Sequence, residues 1–291
     1  MKTNTENITI TKASGLKAPF NKGKLKHSLL RSAATSEQAD EVVSEVMEML
    51  VDGMSTRKIY KTAFRLLRNV SRPMAARYKL KHAIMELGPS GFPFEQFVGE
   101  LLNYRGYKTQ VGVIVKGHCV NHEVDVIAEK DHHHFMVECK FHNRQDYVCD
   151  VKIPLYIQSR FLDVETSWKQ LDGHVEKFHQ GWVVTNTRFS EDAAQYGMCM
   201  NLNLVGWDYP KNNGLKDWID HSGLHPITCL TTLTQNEKQQ LMDKKIVLCK
   251  TLHHNHALLQ NIGIEQPRLD KVIEECSSLC ENFFVTKQDI K

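Results

Sequence analysis

The stretch HEVDVIAEKDHHHFMVECK, from His122 to Lys140, decides the fold. It reads as two short apolar strands joined by a polar turn. Yet it places Asp125, Glu138 and Lys140 inside runs that otherwise look buried. Alternate residues of a strand share a face. Glu138 and Lys140 are two apart and share one face, while Val137, Cys139 and Phe141 share the other. On the preceding strand Glu123, Asp125 and Ile127 share a face, opposite Val124, Val126 and Ala128. Antiparallel pairing then brings Asp125 beside Glu138 and Lys140. The tip histidines, His132 to His134, read as a solvated turn.

Two carboxylates held close repel, and burial worsens the repulsion. A hard divalent cation between Asp125 and Glu138 relieves both costs, and Mg²⁺ is typically held by one or two carboxylates plus waters and substrate phosphate. Lys140 then stands where it can orient water or meet charge building on a phosphate. That is chemistry for hydrolysing a phosphodiester. An ion pair of Lys140 with one acid at the sheet end is the other reading of the same spacing.

Working outward, further runs read as strands rich in Val and Ile: YKTQVGVIVKG, GWVVTNT and LNLVGW. IPLYIQSRFLDV, SWKQLDGHVEKF and SEDAAQYGMCM read as helices among them, so residues 89–222 form a mixed α/β sheet unit. Before it, residues 1–88 open with a β-like run, NITITKASG, and continue as helical patterns with apolar residues at three- and four-residue spacing. Ser36 and Ser55 sit where N-caps belong. LGPSGFP marks a linker. After the sheet unit, residues 223–291 return to helices, with a faint likeness to helix-hairpin-helix repeats and Lys244 and Lys245 at the first break. The fold class is thus α+β with three domains, as 291 residues allow.

Composition narrows the function. Apolar residues make up 41% and charged residues 24%, which places the chain among globular proteins. A net charge of +3 means that nucleic-acid binding must come from local patches. No apolar leader and no membrane-length apolar run is present, so a cytoplasmic protein with no membrane partner is expected. The eight cysteines form no CxxC pair and read as small core residues.

The acid–Glu-x-Lys order across a hairpin resembles the PD-(D/E)XK nuclease superfamily, and its Mrr-like restriction endonucleases in particular. FEQFVGELLNYRGYK is similar to that family's first helix, with Glu95 as its acid. YIQSRF places Gln158 on the helix after the core strands, and GWVVTNTRFSEDAAQYG is similar to the late strand and helix. Val124 stands where the superfamily often has Pro. The resemblance implies that Asp125 and Glu138 bind Mg²⁺ or Mn²⁺, that Lys140 serves the water, and that Glu95 and Gln158 support the site.

At the other end, ITKASGLKAPFNKGKLKHSLLRSA joins a strand, a Gly turn and a Lys-rich helix start. Backbone N–H groups and lysines at a helix N-terminus suit phosphates. The P-loop pattern is absent. The segment resembles the ATP-cone, a regulatory nucleotide-binding domain, through Ile10, Lys12, Gly15, Pro19, Phe20, Asn21, Lys24 and Leu25. DGMSTRKIYKTA and ARYKLKHA are similar to its later segments. The resemblance implies ATP or dATP as a regulatory ligand, with Lys12 and Lys24 on phosphates and Asn21, Thr56 and Tyr60 lining the nucleotide. Ala13 stands where the family has Arg, which removes a bidentate phosphate donor.

Together the resemblances imply a nucleotide-regulated, metal-dependent DNA endonuclease acting on double-stranded DNA in restriction or phage defence, assembled as a homo-oligomer. The alternatives are a repair or junction nuclease, a nucleotide-sensing DNA-binding regulator that does not cut, and a regulatory subunit of nucleotide metabolism.

Overall fold

The structure, a computed structural model, describes residues 8–12, 14–173 and 177–280. Ala13 therefore lies outside the described residues, as do His174 to Glu176 of one expected helix. The chain opens with a hairpin, β1 (Thr9–Thr11) and β2 (Lys17–Pro19). Helices α1 (Lys22–Arg31), α2 (Ser36–Glu48) and α3 (Thr56–Val70) pack around Leu29, Val43, Ala63 and Leu67, all buried. Ser55 caps α3, its hydroxyl accepting from the N–H of Lys58 at 3.2 Å. On α2 the cap is Thr35 rather than Ser36, because Gln38 three residues on completes a reciprocal capping box with it.

The last helical pattern of this unit splits at Lys79 into α4 (Arg72–Tyr78) and α5 (Leu80–Met85). From Ala76 onward its apolar residues, Tyr78 apart, leave the first core. Leu80, Ile84 and Leu87 pack into the core of the rest of the chain. The linker is accordingly tight. A Cβ added at Gly88 would lie 2.3 Å from the ring of Phe141, so the chain passes against the residue beside Lys140.

Next come α6 (Phe92–Tyr104), β3 (Lys108–Lys116), β4 (Asn121–Lys130), β5 (His133–Lys140), the short β6 (Val148–Cys149) and α7 (Lys152–Trp168). β7 (Phe178–Thr185), the short β8 (Arg188–Phe189), α8 (Glu191–Cys199) and β9 (Asn203–Val205) follow. The sheet order is β3-β4-β5-β7-β9; the first three strands pair antiparallel and the last three parallel. One sheet face carries Val126, Val137 and Val184 against Phe94 and Phe97 of α6. The other carries Met136 and Val183 against Ile157 and Phe161 of α7. The 169–173 segment after Trp168 is turn, where SWKQLDGHVEKF reads as helix.

The alternation expected along β4 does not hold throughout. Val126 and Ala128 lie on the α6 face, whereas Val124 lies on the α7 face with Met136 and Ile157. β3 does the same, with Val111 on one side and Val113 on the other. Between them stand Gly112, at φ +66°, and Asp125. The left-handed glycine turns the pleat over at that rung, and glycine adopts such a φ without a Cβ clash.

The β4–β5 turn is Asp131–His132, both at positive φ, as a two-residue hairpin turn of the I′ kind requires. His134 is therefore not at the tip. It is 7% exposed, with its ring centroid 4.0 Å from that of Trp168.

The tail holds α9 (Leu215–Ser222), a 3-10 turn (Ile227–Cys229), α10 (Gln235–Asp243), α11 (Cys249–His254), α12 (Ala257–Gln260) and α13 (Arg268–Cys280). Its apolar residues join the α6-side core. Polar groups bind it to α4 and α5. Lys79 donates to Glu86 at 2.9 Å and to the Thr228 carbonyl at 3.1 Å, which Lys238 also reaches at 3.1 Å. Arg77 donates to the Ser278 carbonyl. Cys139, Cys149, Cys229, Cys249 and Cys276 are buried as free thiols, in line with a packing role, whereas Cys119 and Cys199 are exposed and Cys280 is half-buried, against the expectation for all eight. Among the described residues no helix is long and apolar enough to cross a membrane.

Candidate functional site

Asp125 and Glu138 meet because β4 and β5 pair with Val126 opposite Val137, so the next rung sets them face to face. Asp125 Oδ2 accepts from the backbone N–H of Cys139 at 2.6 Å. Glu138 is 5% exposed and both its oxygens are engaged. Lys140 Nζ donates to Oε1, and Arg160 Nη1 donates to Oε2 at 2.6 Å. The ion pair and the clustered acids, alternative readings of the sequence, are thus both present.

Glu95, in the first turn of α6, completes the acids. Gly91, at φ +82°, starts that helix, and a Cβ there would lie 3.6 Å from Glu95 Oε1. Burial pushes the Glu95 carboxyl up to about 7, with Asp125, Glu123 and Glu138 adding to the rise and Lys140 opposing it. Asp125 is pushed up to about 6, by burial first and Glu138 second, against the Cys139 N–H, Lys140 and Arg160. The carboxylates outweigh the cations provided for them.

Arg160 and Tyr156 are the members that the motif did not name. Arg160 also donates to the Glu123 carbonyl, and its guanidinium lies 5.5 Å from the Tyr156 ring centroid. Both sit on α7 four residues apart, hence on one face. Asn121, His122, Glu123, Asp125, Glu138, Tyr156 and Arg160 line an open cleft of about 330 Å³. His122 Nε2 and Asp163 Oδ2 lie 2.7 Å apart, and Asp163 accepts from the Cys119 N–H at 2.7 Å, fastening the β3–β4 loop to α7.

Gln158 is the exception among the expected residues. It is 6% exposed and lines a different cleft with Phe161, Glu165, His179 and Asn201. The reason is helical geometry: two residues from Arg160 is about 200° of rotation, so Gln158 faces away when Arg160 faces the acids. Past Lys140, the VVTNT segment supports the strand. Thr185 Oγ1 donates to the Lys140 carbonyl at 2.7 Å, and Asn186 bonds both the N–H and the C=O of His142.

Raised acids cost stability when ionised. A carboxyl whose folded pKa exceeds its unfolded one stabilises below the unfolded value, and that contribution is lost as pH climbs through the folded value. Asp125→Asn keeps an oxygen for the Cys139 N–H and removes the charge. It is expected to raise unfolding stability by about 1–2 kcal/mol near pH 8 and by nothing near pH 4, as read by urea denaturation. Equal stability of the two proteins near pH 8 would contradict the crowding of these acids.

In the N-terminal unit, a bridge between Thr11 and Ser55 brings the end of β1 to the start of α3, so Lys12 and Thr56 are neighbours. Asn21 caps α1, its Oδ1 accepting from the Lys24 N–H at 2.8 Å. Thr9 pairs with Pro19 and Thr11 with Lys17, which puts Asn21 and Lys24 at the opposite end of the hairpin from Lys12, about 16 Å along the strand. Tyr60 departs from its expected place. Its ring stacks on Tyr78 at 5.2 Å and approaches His82 at 6.0 Å. Its hydroxyl is buried, and burial drives the phenol well above its usual range. Tyr60 thus belongs to the seam with α4 and α5, because it falls on the inward side of α3 near Ile59 and Phe64.

Comparison with known proteins places two of these units. Residues 8–82 match the ATP cone domain, and residues 225–280 match the family described as AF1548-like, C-terminal. Both matches leave residues 83–224, with the acid cleft, aside. An uncharacterized protein of Archaeoglobus fulgidus is 36% identical over 183 residues, covering 62% of this chain and 99% of that relative. A crystal structure described as a protein of unknown function, AF1548, is similar at a TM-score of 0.55 and 35% identity, covering 65% of this chain and 97% of that one.

Proposed function

The chain belongs to the AF1548-like family and carries an ATP-cone at residues 8–82, and from its acid cleft we propose that it is a nucleotide-regulated, metal-dependent endonuclease of double-stranded DNA. The observation that carries this reading is that Asp125, Glu138 and Arg160 line one open cleft, with Lys140 bonded to Glu138 and Glu95 close enough for its carboxyl to be raised, after burial, by Asp125 and Glu138.

Among the described residues no group of three His, Cys, Asp or Glu side chains is placed to hold a metal ion. The donor set still suits Mg²⁺ or Mn²⁺, which take one or two carboxylates and fill the rest of their shell with water and phosphate oxygens. Asp125 and Glu138 would hold the ion, which supplies positive charge to a polarised phosphoryl oxygen. Glu95, poised near neutral pH, takes a proton from the attacking water. Lys140 orients that water, and the remaining N–H groups of Arg160 meet a non-bridging oxygen. Cutting both strands takes two such clefts, hence a homo-oligomer. Restriction or phage defence is the task this activity fits; repair or junction resolution uses the same chemistry.

A second reading has its own observation. Both oxygens of Glu138 are occupied by Lys140 and Arg160, which locks the carboxylate, and a DNA-binding regulator that does not cut follows if no ion displaces Arg160.

Supercoiled plasmid with Mg²⁺ or Mn²⁺, with and without ATP or dATP, tests the proposal. Metal-dependent nicking that changes with nucleotide is the expected result, with Lys24→Ala removing the nucleotide response and sparing basal cleavage. No nicking of plain, methylated or branched DNA, beside measurable nucleotide binding, would leave the regulator.

A further inference from the structure

The outward face of α3 carries a second feature. From Gly53 to Met85 the sequence contains no Asp or Glu. Arg77, Lys79 and Lys81 of that stretch turn inward, to the Ser278 carbonyl, to Glu86 and to the Trp207 ring. Arg57, Lys58, Lys61, Arg65, Arg68 and Arg72 are exposed. None of these six makes an ion pair among the described residues. Arg57, Lys61, Arg65 and Arg68 recur at i, i+4, i+8 and i+11. At about 100° per residue they fall within about 80° of one another and form a ridge about 16 Å long. Ile59, Ala63 and Leu67 are buried on the opposite side and hold the ridge outward.

We infer that this ridge is a binding surface for the phosphate backbone of duplex DNA, separate from the acid cleft. Uncompensated like charges on one helix face repel each other, and a polyanion relieves that repulsion. Duplex DNA carries a charge every ~1.7 Å of its axis, so a ridge of this length finds a phosphate for every cation. Lys58 and Asn69, which flank the ridge on one side, are also polar and exposed, and Phe64 on the other flank packs against the core. Protein interfaces have an apolar or aromatic centre, which this face lacks; DNA-binding faces are polar and strongly positive. The neighbouring helix α2 carries the opposite sign, with Glu37, Glu41, Glu45 and Glu48 exposed at the same spacing. The two faces give the unit an electrical direction that turns a DNA backbone toward α3. They also define the rival occupant, a second copy of this chain pairing acidic ridge with basic ridge.

The choice of duplex as partner rests on the nuclease reading, so the test is made independent of cleavage. The full chain carrying Lys140→Ala, in EDTA, is titrated with a labelled duplex of about 30 base pairs at salt from about 50 to 200 mM. Adding Lys61→Ala, Arg65→Ala and Arg68→Ala is expected to make the slope of log affinity against log salt shallower by about 3, with a loss of roughly 30-fold or more at the lowest salt. Lys61→Arg should bind like the parent, and Glu41→Ala should bind as well or better. Thermal melting checks that the triple variant is folded. An unchanged slope in a folded triple variant overturns the assignment. If sedimentation then shows that the same variant dissociates a dimer, the ridge belongs to the second copy.

Discussion

Lys140→Ala is expected to lower metal-dependent plasmid cleavage by about 10³-fold or more, while melting temperature and nucleotide binding stay near those of the parent. The fold should tolerate the change because Glu138 keeps Arg160 as a partner. Removal of the ammonium that orients the attacking water deletes an interaction that bulk solvent cannot replace beside the buried acids. A second readout separates this from misfolding. Lys140 is among the charges that hold the Asp125 and Glu95 carboxyls down. Its loss therefore moves any residual pH profile to higher pH. Cleavage at the parental rate would remove Lys140 from the active site and overturn the site assignment.

Glu275→Ala is expected to cost about 3–5 kcal/mol of unfolding free energy, measured by urea denaturation. Glu275 lies on α13 and is 3% exposed. It accepts from the N–H and the hydroxyl of both Thr231 and Thr232, at 2.7–3.0 Å. Alanine leaves four donors of a half-buried loop without their acceptor, which costs more than one lost bond. Glu275→Gln should also be destabilising, since its amide presents N–H groups to other N–H groups. Because the tail shares one core with the sheet, the loss should appear as an earlier single transition. A separate early transition would show that the tail unfolds alone.

The strands, the acid pair and Lys140 were legible because they depend on period-2 spacing and β-branched content, which are local. The turnover at Gly112 and Asp125 was not, since one left-handed φ leaves the pattern of Val and Ile unchanged. Arg160 was visible as half of an i, i+4 pair with Tyr156, but the motif pointed to Gln158, and only the phase of α7 decides between them. Tyr60 and His134 are set by what packs on them from other elements, Tyr78 and His82 for the first and Trp168 for the second. The merged core has the same origin. The Gly and Pro residues of the linker mark where helices stop, and say nothing of what Leu87 lies against.

That merged core sets rules for transplanting the parts. A fragment beginning at residue 89 would bare the sites that Ile84 and Leu87 fill and lose the backbone wall at Gly88 behind Phe141. A cone excised at residue 88 would carry those same greasy residues into water. The serviceable joint lies near Lys79, between α4 and α5, just past Tyr78, which still packs on the first core. A chimera that swaps sensors should therefore keep α5 with the recipient's sheet unit and α4 with the sensor.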